Sequence, residues 1–198
     1  MSSLPKPRFT PEQYLERERR ADDKSEYLSG EIFAMAGATE AHNLIVTNVI
    51  GELRSQLRGR PCRTYPSDMK VEVGPSGLFT YPDVSVVCGE PRFHDGRRDM
   101  VQNPKIIVEV LSKSTEAYDR GAKFAQYRRL ASLTDYLVIS PSEFRAELFV
   151  RQPDNQWLLT EITGDQVAIV IASLGCELQM AEVYDRVEFD PPPPLRAV

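Results

Sequence analysis

The spacing of apolar residues changes along the chain, and each change predicts an element. Ile45, Val46, Val49, Ile50, Leu53 and Leu57 recur at the spacing of one helical face, predicting a helix from Thr39 to about Leu57 that packs on something apolar. Thr10-Pro11-Glu12-Gln13 joins a capping threonine, a proline at the first helical position and a capping-box glutamine, so a short helix should run to about Arg20. Ser29-Gly30 between the β-prone runs Tyr27-Leu28 and Ile32-Phe33 predicts a tight hairpin. Strand-like runs follow at 63–73, 78–88, 105–111, 136–139, 146–150, 157–162 and 167–171, with one strong helix at 115–130. This order predicts an α/β protein with a mixed β-sheet core flanked by helices.

A length of 198 residues fits a single domain, expected over residues 1–190. Residues 191–198 begin with four prolines, which cannot sustain helix or ladder hydrogen bonds, and are expected to form a flexible Pro-rich tail. The 24 Lys+Arg against 29 Asp+Glu leave a net charge of −5, which excludes a generally basic nucleic-acid coat but not a local basic groove. No apolar run approaches the roughly 18 residues of a membrane helix, and the N-terminus lacks the apolar core of a secretory signal. A cytoplasmic protein with no membrane contact is therefore expected.

Cys62, Cys88 and Cys176 are odd in number, widely spaced and free of any CxxC pair, so neither a disulfide framework nor a zinc site is expected. Each reads as a small buried apolar residue. With only His42 and His94 in the chain, any metal would have to be held mostly by carboxylates.

Two acids look out of place. In Lys105-Ile106-Ile107-Val108-Glu109-Val110-Leu111, Ile107 and Leu111 flank Glu109 on one face while Ile106, Val108 and Val110 line the other. Such a strand is usually central, and an ionised carboxylate there needs a cation or a metal. The alternative is a half-exposed strand end salt-bridged to a nearby Lys or Arg. In Tyr81-Pro82-Asp83-Val84-Ser85-Val86-Val87, proline interrupts or starts a strand and can turn Asp83 towards a site. Asp83 and Glu109, 26 residues apart, then form a plausible two-carboxylate site on neighbouring strands. Such a pair suits a hard divalent cation such as Mg²⁺, with its shell completed by water and phosphate. Lys123 and Tyr127 share a helix face, which can bring an ammonium group near Glu109. The alternative is an ordinary Asp119–Lys123 surface pair.

The motifs Tyr81-Pro82-Asp83-Val84-Ser85-Val86-Val87, Ile107-Val108-Glu109-Val110-Leu111-Ser112 with Ser114-Thr115, and Tyr118-Asp119-Arg120-Gly121 with Lys123 and Tyr127 closely resemble the Uma-type family of restriction-endonuclease-like proteins. That family, formerly a domain of unknown function, belongs to the PD-(D/E)XK nuclease superfamily. The likeness covers nearly the whole chain, including Glu26, Gly30 and Glu31, His42 and the closing 171–187 stretch.

The resemblance implies a restriction-endonuclease-like fold and a metal-dependent endonuclease acting on DNA. Asp83 and Glu109 would be ligands of Mg²⁺ (Mn²⁺ possible), with the backbone carbonyl of Val110 as a further ligand. The strict pattern puts lysine two residues after the second acid, where this chain has Leu111. Lys113 would point to the opposite strand face. The resemblance therefore assigns the lysine's role to Lys123 on the following helix, with Tyr127 in support. Glu26 is a further candidate acid and His42 a candidate contact to phosphate or a site water, whereas Asp68 reads as structural. Arg17, Arg19, Arg20, Arg97, Arg98, Arg128 and Arg129 are candidate DNA contacts, although such clusters usually form a solvated face. Cutting two strands favours a homodimer. The competing hypothesis is a catalytically silent module of the same fold that binds nucleic acid or self-associates.

Overall fold

The structure is a computed structural model describing residues 8–74 and 77–189; the proline-rich segment 191–198 lies outside the described residues. Helix α1 (Pro11–Glu18) starts at the expected capping box, with the Gln13 amide donating to Thr10 Oγ1 and the Thr10 amide donating to Gln13 Oε1. Strands β1 (Ser25–Leu28) and β2 (Glu31–Ala34) form the expected hairpin. Ser29 and Gly30 adopt φ of 49° and 99°, the left-handed pair that a two-residue hairpin needs. Helix α2 (Glu40–Gln56) follows, with its amide of His42 capped by the Thr39 side chain.

The strand-like run at 63–73 is not one strand but two, β3 (Cys62–Pro66) and β4 (Lys70–Val73). The run at 78–88 likewise splits into β5 (Leu78–Thr80) and β6 (Val84–Cys88). In each case the second member of the pair lies in a different sheet from the first. The break in the second run falls at Tyr81-Pro82-Asp83, where proline cannot donate to a ladder. The chain continues through β7 (Met100–Val101), β8 (Ile106–Val110) and α3 (Glu116–Tyr118). A π-helical turn (Asp119–Lys123) then leads into α4 (Phe124–Tyr127). It closes with β9 (Asp135–Ile139), β10 (Arg145–Arg151), β11 (Trp157–Thr163), β12 (Ala168–Ile171), β13 (Cys176–Gln179) and α5 (Met180–Val183). The sequence pattern did not reveal the two-residue β7 or β13, the latter paired only with β12.

One sheet runs β11-β10-β9-β8-β6-β3 and the other β2-β1-β5-β4-β7. In the first, only β8 and β9 are parallel, because the helical segment between them provides the crossover. Strand β8 is buried throughout and divides the interior as its sequence predicts. Ile106, Val108 and Val110 join Ile45, Val49 and Leu53 of α2, while Ile107 and Leu111 join Phe124, Tyr127 and Tyr136 on the other side. A third cluster fastens α1 to the second sheet through the stacked rings of Tyr14, Tyr27 and Phe79, with centroids 5.2–5.7 Å apart.

The cysteine expectation needs correcting. Cys62 and Cys88 are register partners on antiparallel β3 and β6, and they form a disulfide with Cα atoms 4.0 Å apart. Their sequence spacing carries no trace of this pairing, which is set by strand register. Cys176 is the buried free thiol that was expected. Among the described residues, no helix is long and apolar enough to cross a membrane.

Candidate active site

Both candidate acids are placed by the junction between the sheets. β5 ends at Thr80, β6 begins at Val84, and the three residues between them turn the corner. Val84 is the register partner of Val108, so Asp83 falls opposite Glu109. The two are also latched together through backbone: the Val110 amide donates to Asp83 Oδ2 at 2.8 Å, and the Asp83 amide makes a longer contact with Glu109 Oε2 at 3.4 Å. His42, in the first turn of α2, brings Nε2 to 3.2 Å from the same Asp83 Oδ2, while its buried Nδ1 has no hydrogen-bond partner among the described residues.

Glu109 is 4% exposed, so it is not the half-exposed strand end of the alternative reading. Its charge partner comes from the π-helical turn: Lys123 Nζ lies 3.0 Å from Glu109 Oε1, and the Tyr127 hydroxyl donates to that oxygen at 2.7 Å. π-Helical turns recur at functional sites because the extra residue re-aims the side chains that follow. Here the Asp119 carbonyl, the first in the turn, accepts a hydrogen bond from the buried Tyr136 hydroxyl at 3.1 Å. Arg120 pairs with Glu116 and Glu147, tying the same turn to β10.

Glu26 joins the group from the second sheet. It sits on β1 where the register with β5 brings it beside Thr80, and it accepts hydrogen bonds from the Thr80 hydroxyl and, at 3.4 Å, the Tyr81 amide. Its Oε1 is 3.1 Å from Lys123 Nζ. Asp119 is a third carboxylate at 3.6 Å from that nitrogen. The Asp119–Lys123 contact exists, but both side chains are buried, which corrects the reading of an ordinary surface pair.

The electrostatics follow from this crowding. Burial would lower the Lys123 pKa, but Glu109, Tyr127, Glu26 and Asp119 outweigh it and hold the ammonium well above the ordinary lysine value. Burial pushes the Glu109 carboxyl up, Lys123 opposes it, and Asp83, Asp119 and Glu26 add to the rise. One ammonium thus faces three carboxylates, with Asp83 beside Glu109, a deficit of positive charge that a cation between Asp83 and Glu109 would offset.

The donor set fits a hard divalent ion: carboxylate oxygens come from neighbouring strands, and no hydrogen bond among the described residues engages Asp83 Oδ1. No group of three or more His, Cys, Asp or Glu side chains among the described residues is arranged to hold an ion unaided. A cation here would rest on Asp83 and Glu109, with backbone, water and substrate completing its shell, as suits Mg²⁺.

Lys113 is exposed, and Leu111 is buried in the apolar cluster around Phe124. Thr80 and the Glu18 carboxylate that accepts from the Tyr81 hydroxyl at 2.7 Å had no signal in the sequence pattern, because one contact joins the distant strands β1 and β5 and the other joins α1 to the corner after β5. Asp68 pairs with Lys24 at 2.5 Å and is mostly exposed.

The arginines do not converge on the acids. Arg19 is held by Asp95 and Asp99, Arg20 by Glu16, while Arg17, Arg98 and Arg128 lie over Phe9, Phe93 and Phe124. No hydrogen bond or ion pair among the described residues joins any of them, or Arg97 and Arg129, to Asp83, Glu109 or Lys123.

Two sheets flanked by helices and meeting at a buried acid–lysine cluster define a mixed α/β fold, and a solved structure shares that fold. The crystal structure of a putative nuclease belonging to DUF820 from Anabaena variabilis superposes with a TM-score of 0.72 at 16% identity, covering 89% of this chain and 97% of that one. Residues 11–181 match the Uma2 family, described as "Putative restriction endonuclease", and the chain belongs to that family. Two uncharacterized proteins of Synechocystis sp. are similar along most of their length. The protein sll1609 is 39% identical over 161 residues, 81% of this chain and 91% of its own. The protein slr1290 is 34% identical over 187 residues, 94% of this chain and 97% of its own.

Proposed function

We propose that the chain is a metal-dependent endonuclease that hydrolyses phosphodiester bonds of DNA at the Asp83–Glu109–Lys123 cluster. The observation that carries this reading is the Lys123 ammonium, 3.0 Å from Glu109 and 3.1 Å from Glu26, beside an Asp83 set opposite Glu109 by strand register.

Hydrolysis joins a water oxygen to phosphorus and breaks one ester P–O bond, leaving a phosphate monoester and a hydroxyl. Negative charge grows on the phosphoryl oxygens, so the site must supply fixed positive charge and an oriented water. Lys123 is the resident source of both: its ammonium can donate to the attacking water or to a phosphoryl oxygen from a position locked by carboxylates. Tyr127 and Glu26 fix that position, and the Val110 amide and His42 fix Asp83. Mg²⁺ or Mn²⁺, held by Asp83, Glu109 and the Val110 carbonyl, would when bound lower the pKa of a coordinated water and neutralise developing charge. Cutting both strands of a duplex would call for two such sites, and a homodimer supplies them by symmetry.

The test is nicking of plasmid DNA and cleavage of single-stranded DNA in Mg²⁺ or Mn²⁺ by the wild type, Asp83→Ala and Lys123→Ala. Metal-dependent cleavage lost in both variants is expected. Cleavage that persists unchanged in both would overturn the site, and a folded wild type that binds DNA without cutting it would leave the silent-module reading instead.

A further inference from the structure

Beside the buried acids, β2 carries an aromatic ring that the fold leaves uncovered. Phe33 is 46% exposed and Met35 is 37% exposed, although their neighbour Ile32 packs with Tyr14, Tyr27 and Phe79. Side chains alternate along a strand, so Phe33 and Met35 share the face opposite Ile32. Phe33 is the register partner of Glu26, and opposed residues of an antiparallel pair project on the same side. The Met35 amide donates to the Lys24 carbonyl, extending that register by a further step. The exposed ring therefore stands directly beside the carboxylate that holds Lys123. A second, half-buried ring, Tyr118, lies with its centroid 6.0 Å from the same Nζ.

The charges around the site indicate what such a surface is for. Binding a duplex through its backbone requires several unpaired cations, because affinity comes from displaced counterions. Here Lys24 is committed to Asp68, Arg19 to Asp95 and Asp99, and Arg120 to Glu116 and Glu147, while the chain carries a net charge of −5. A single strand adds stacking on aromatic rings to its backbone contacts, which lowers the number of free cations it needs, and stacking requires a base whose face is free. In a duplex that face is covered by neighbouring pairs; in a single strand it is available.

We propose that Phe33, flanked by Met35, is a stacking shelf for an unpaired nucleobase next to the scissile phosphate, and that the substrate is accordingly single-stranded DNA. This rests on the endonuclease reading for the position of the phosphate, and it adds a specificity-determining residue that contacts substrate without joining the chemistry.

The experiment measures binding of labelled oligothymidylate, and of the same strand annealed to oligoadenylate, to the full chain by fluorescence anisotropy without divalent metal. The proteins compared are the wild type, Phe33→Ala, Phe33→Trp and Asp83→Ala. Loss of one stacked base predicts that Phe33→Ala weakens single-strand binding by roughly 5- to 150-fold and leaves duplex binding little changed. Phe33→Trp should retain affinity, and its emission should be quenched on adding oligothymidylate; Trp157 is the sole native tryptophan, so Phe33→Ala provides the background signal. Asp83→Ala should bind the single strand in this assay and fail to cut it once Mg²⁺ is added. Unchanged single-strand affinity in Phe33→Ala, or equal losses on single strand and duplex, would overturn the shelf while the cleavage assay still stands by itself. A change in oligomeric state on Phe33→Ala, read by light scattering, would show that the ring covers a second copy and would equally overturn it. Phe33-dependent binding by a wild type that never cleaves would support the shelf and remove the endonuclease reading.

Discussion

Lys123 Nζ and Glu109 Oε1 lie 3.0 Å apart, although the strict PD-(D/E)XK spacing would place the lysine at residue 111, which is leucine. Leu111 is needed by the apolar cluster around Phe124 and Tyr136. The amine instead reaches Glu109 from the π-helical turn that crosses over the same strand. The same pair governs the stability of the region, because Lys123 is the cation shared by Glu26, Glu109 and Asp119.

Removing that cation leaves buried carboxylates uncompensated, and breaking a buried pair in this way typically costs about 3–5 kcal/mol. Lys123→Met should therefore lower the urea midpoint of unfolding strongly, and adding Glu109→Gln to the same chain should recover part of the loss. A single variant within about 1 kcal/mol of wild type would show that Lys123 is not the charge partner described.

Among the described residues the His42 ring contacts Asp83, through Nε2 at 3.2 Å. Groups that orient a metal-binding carboxylate are commonly worth about 10- to 100-fold in metal affinity. His42→Ala should weaken Mn²⁺ binding by calorimetry by about tenfold or more, with little effect on thermal unfolding of the metal-free protein. His42→Gln, which can still place a donor near the Nε2 position, should recover part of the affinity. Equal Mn²⁺ affinity in all three proteins would dismiss a positioning role.

Acid stability has a separate source near α1. Burial raises the Asp99 pKa, but hydrogen bonding to Arg19 and the charges of Lys70 and Arg19 outweigh it, and the carboxyl titrates below its ordinary value. A carboxyl whose folded pKa is depressed contributes stability above its unfolded pKa, near about 4, and loses that contribution as pH falls through the folded value. Asp99→Asn should be less stable than wild type at neutral pH, and the difference should shrink on acidification below about pH 4. A gap in urea midpoints that stays constant or widens towards acid would contradict this assignment.

The disulfide closes 26 residues of chain between β3 and β6. The loop-entropy relation gives about 3.5 kcal/mol for such a loop, so Cys62→Ser with Cys88→Ser should lower the unfolding midpoint by a corresponding amount. Thiol titration of the denatured, unreduced protein should find one reactive group, since Cys176 alone is free of the bond. Three reactive thiols before any reductant is added would exclude the pairing.

Much of this was already written in local order. The period of apolar residues determined α2, an apolar run on both faces determined β8, the Thr10 capping box determined the start of α1, and the Ser29-Gly30 turn determined the first hairpin, whereas the single helix expected at 115–130 is broken by a π-helical turn and ends at Tyr127. Each depends on neighbours within a few residues, where side-chain spacing and backbone preference act directly. The sequence also marked Glu109 as a charge on a strand too apolar to carry it unaccompanied, and the face shared by Lys123 and Tyr127 offered an amine for it, with a surface pair to Asp119 as the alternative. Only the tertiary structure decided that Lys123 meets Glu109 and Glu26 together, that Cys62 faces Cys88, and that Phe33 stands open beside the acids. Those relationships depend on sheet register and on a corner at Pro82 that sends one strand-like run into two sheets. Register is settled by the packing of whole faces, and no short stretch of residues contains it.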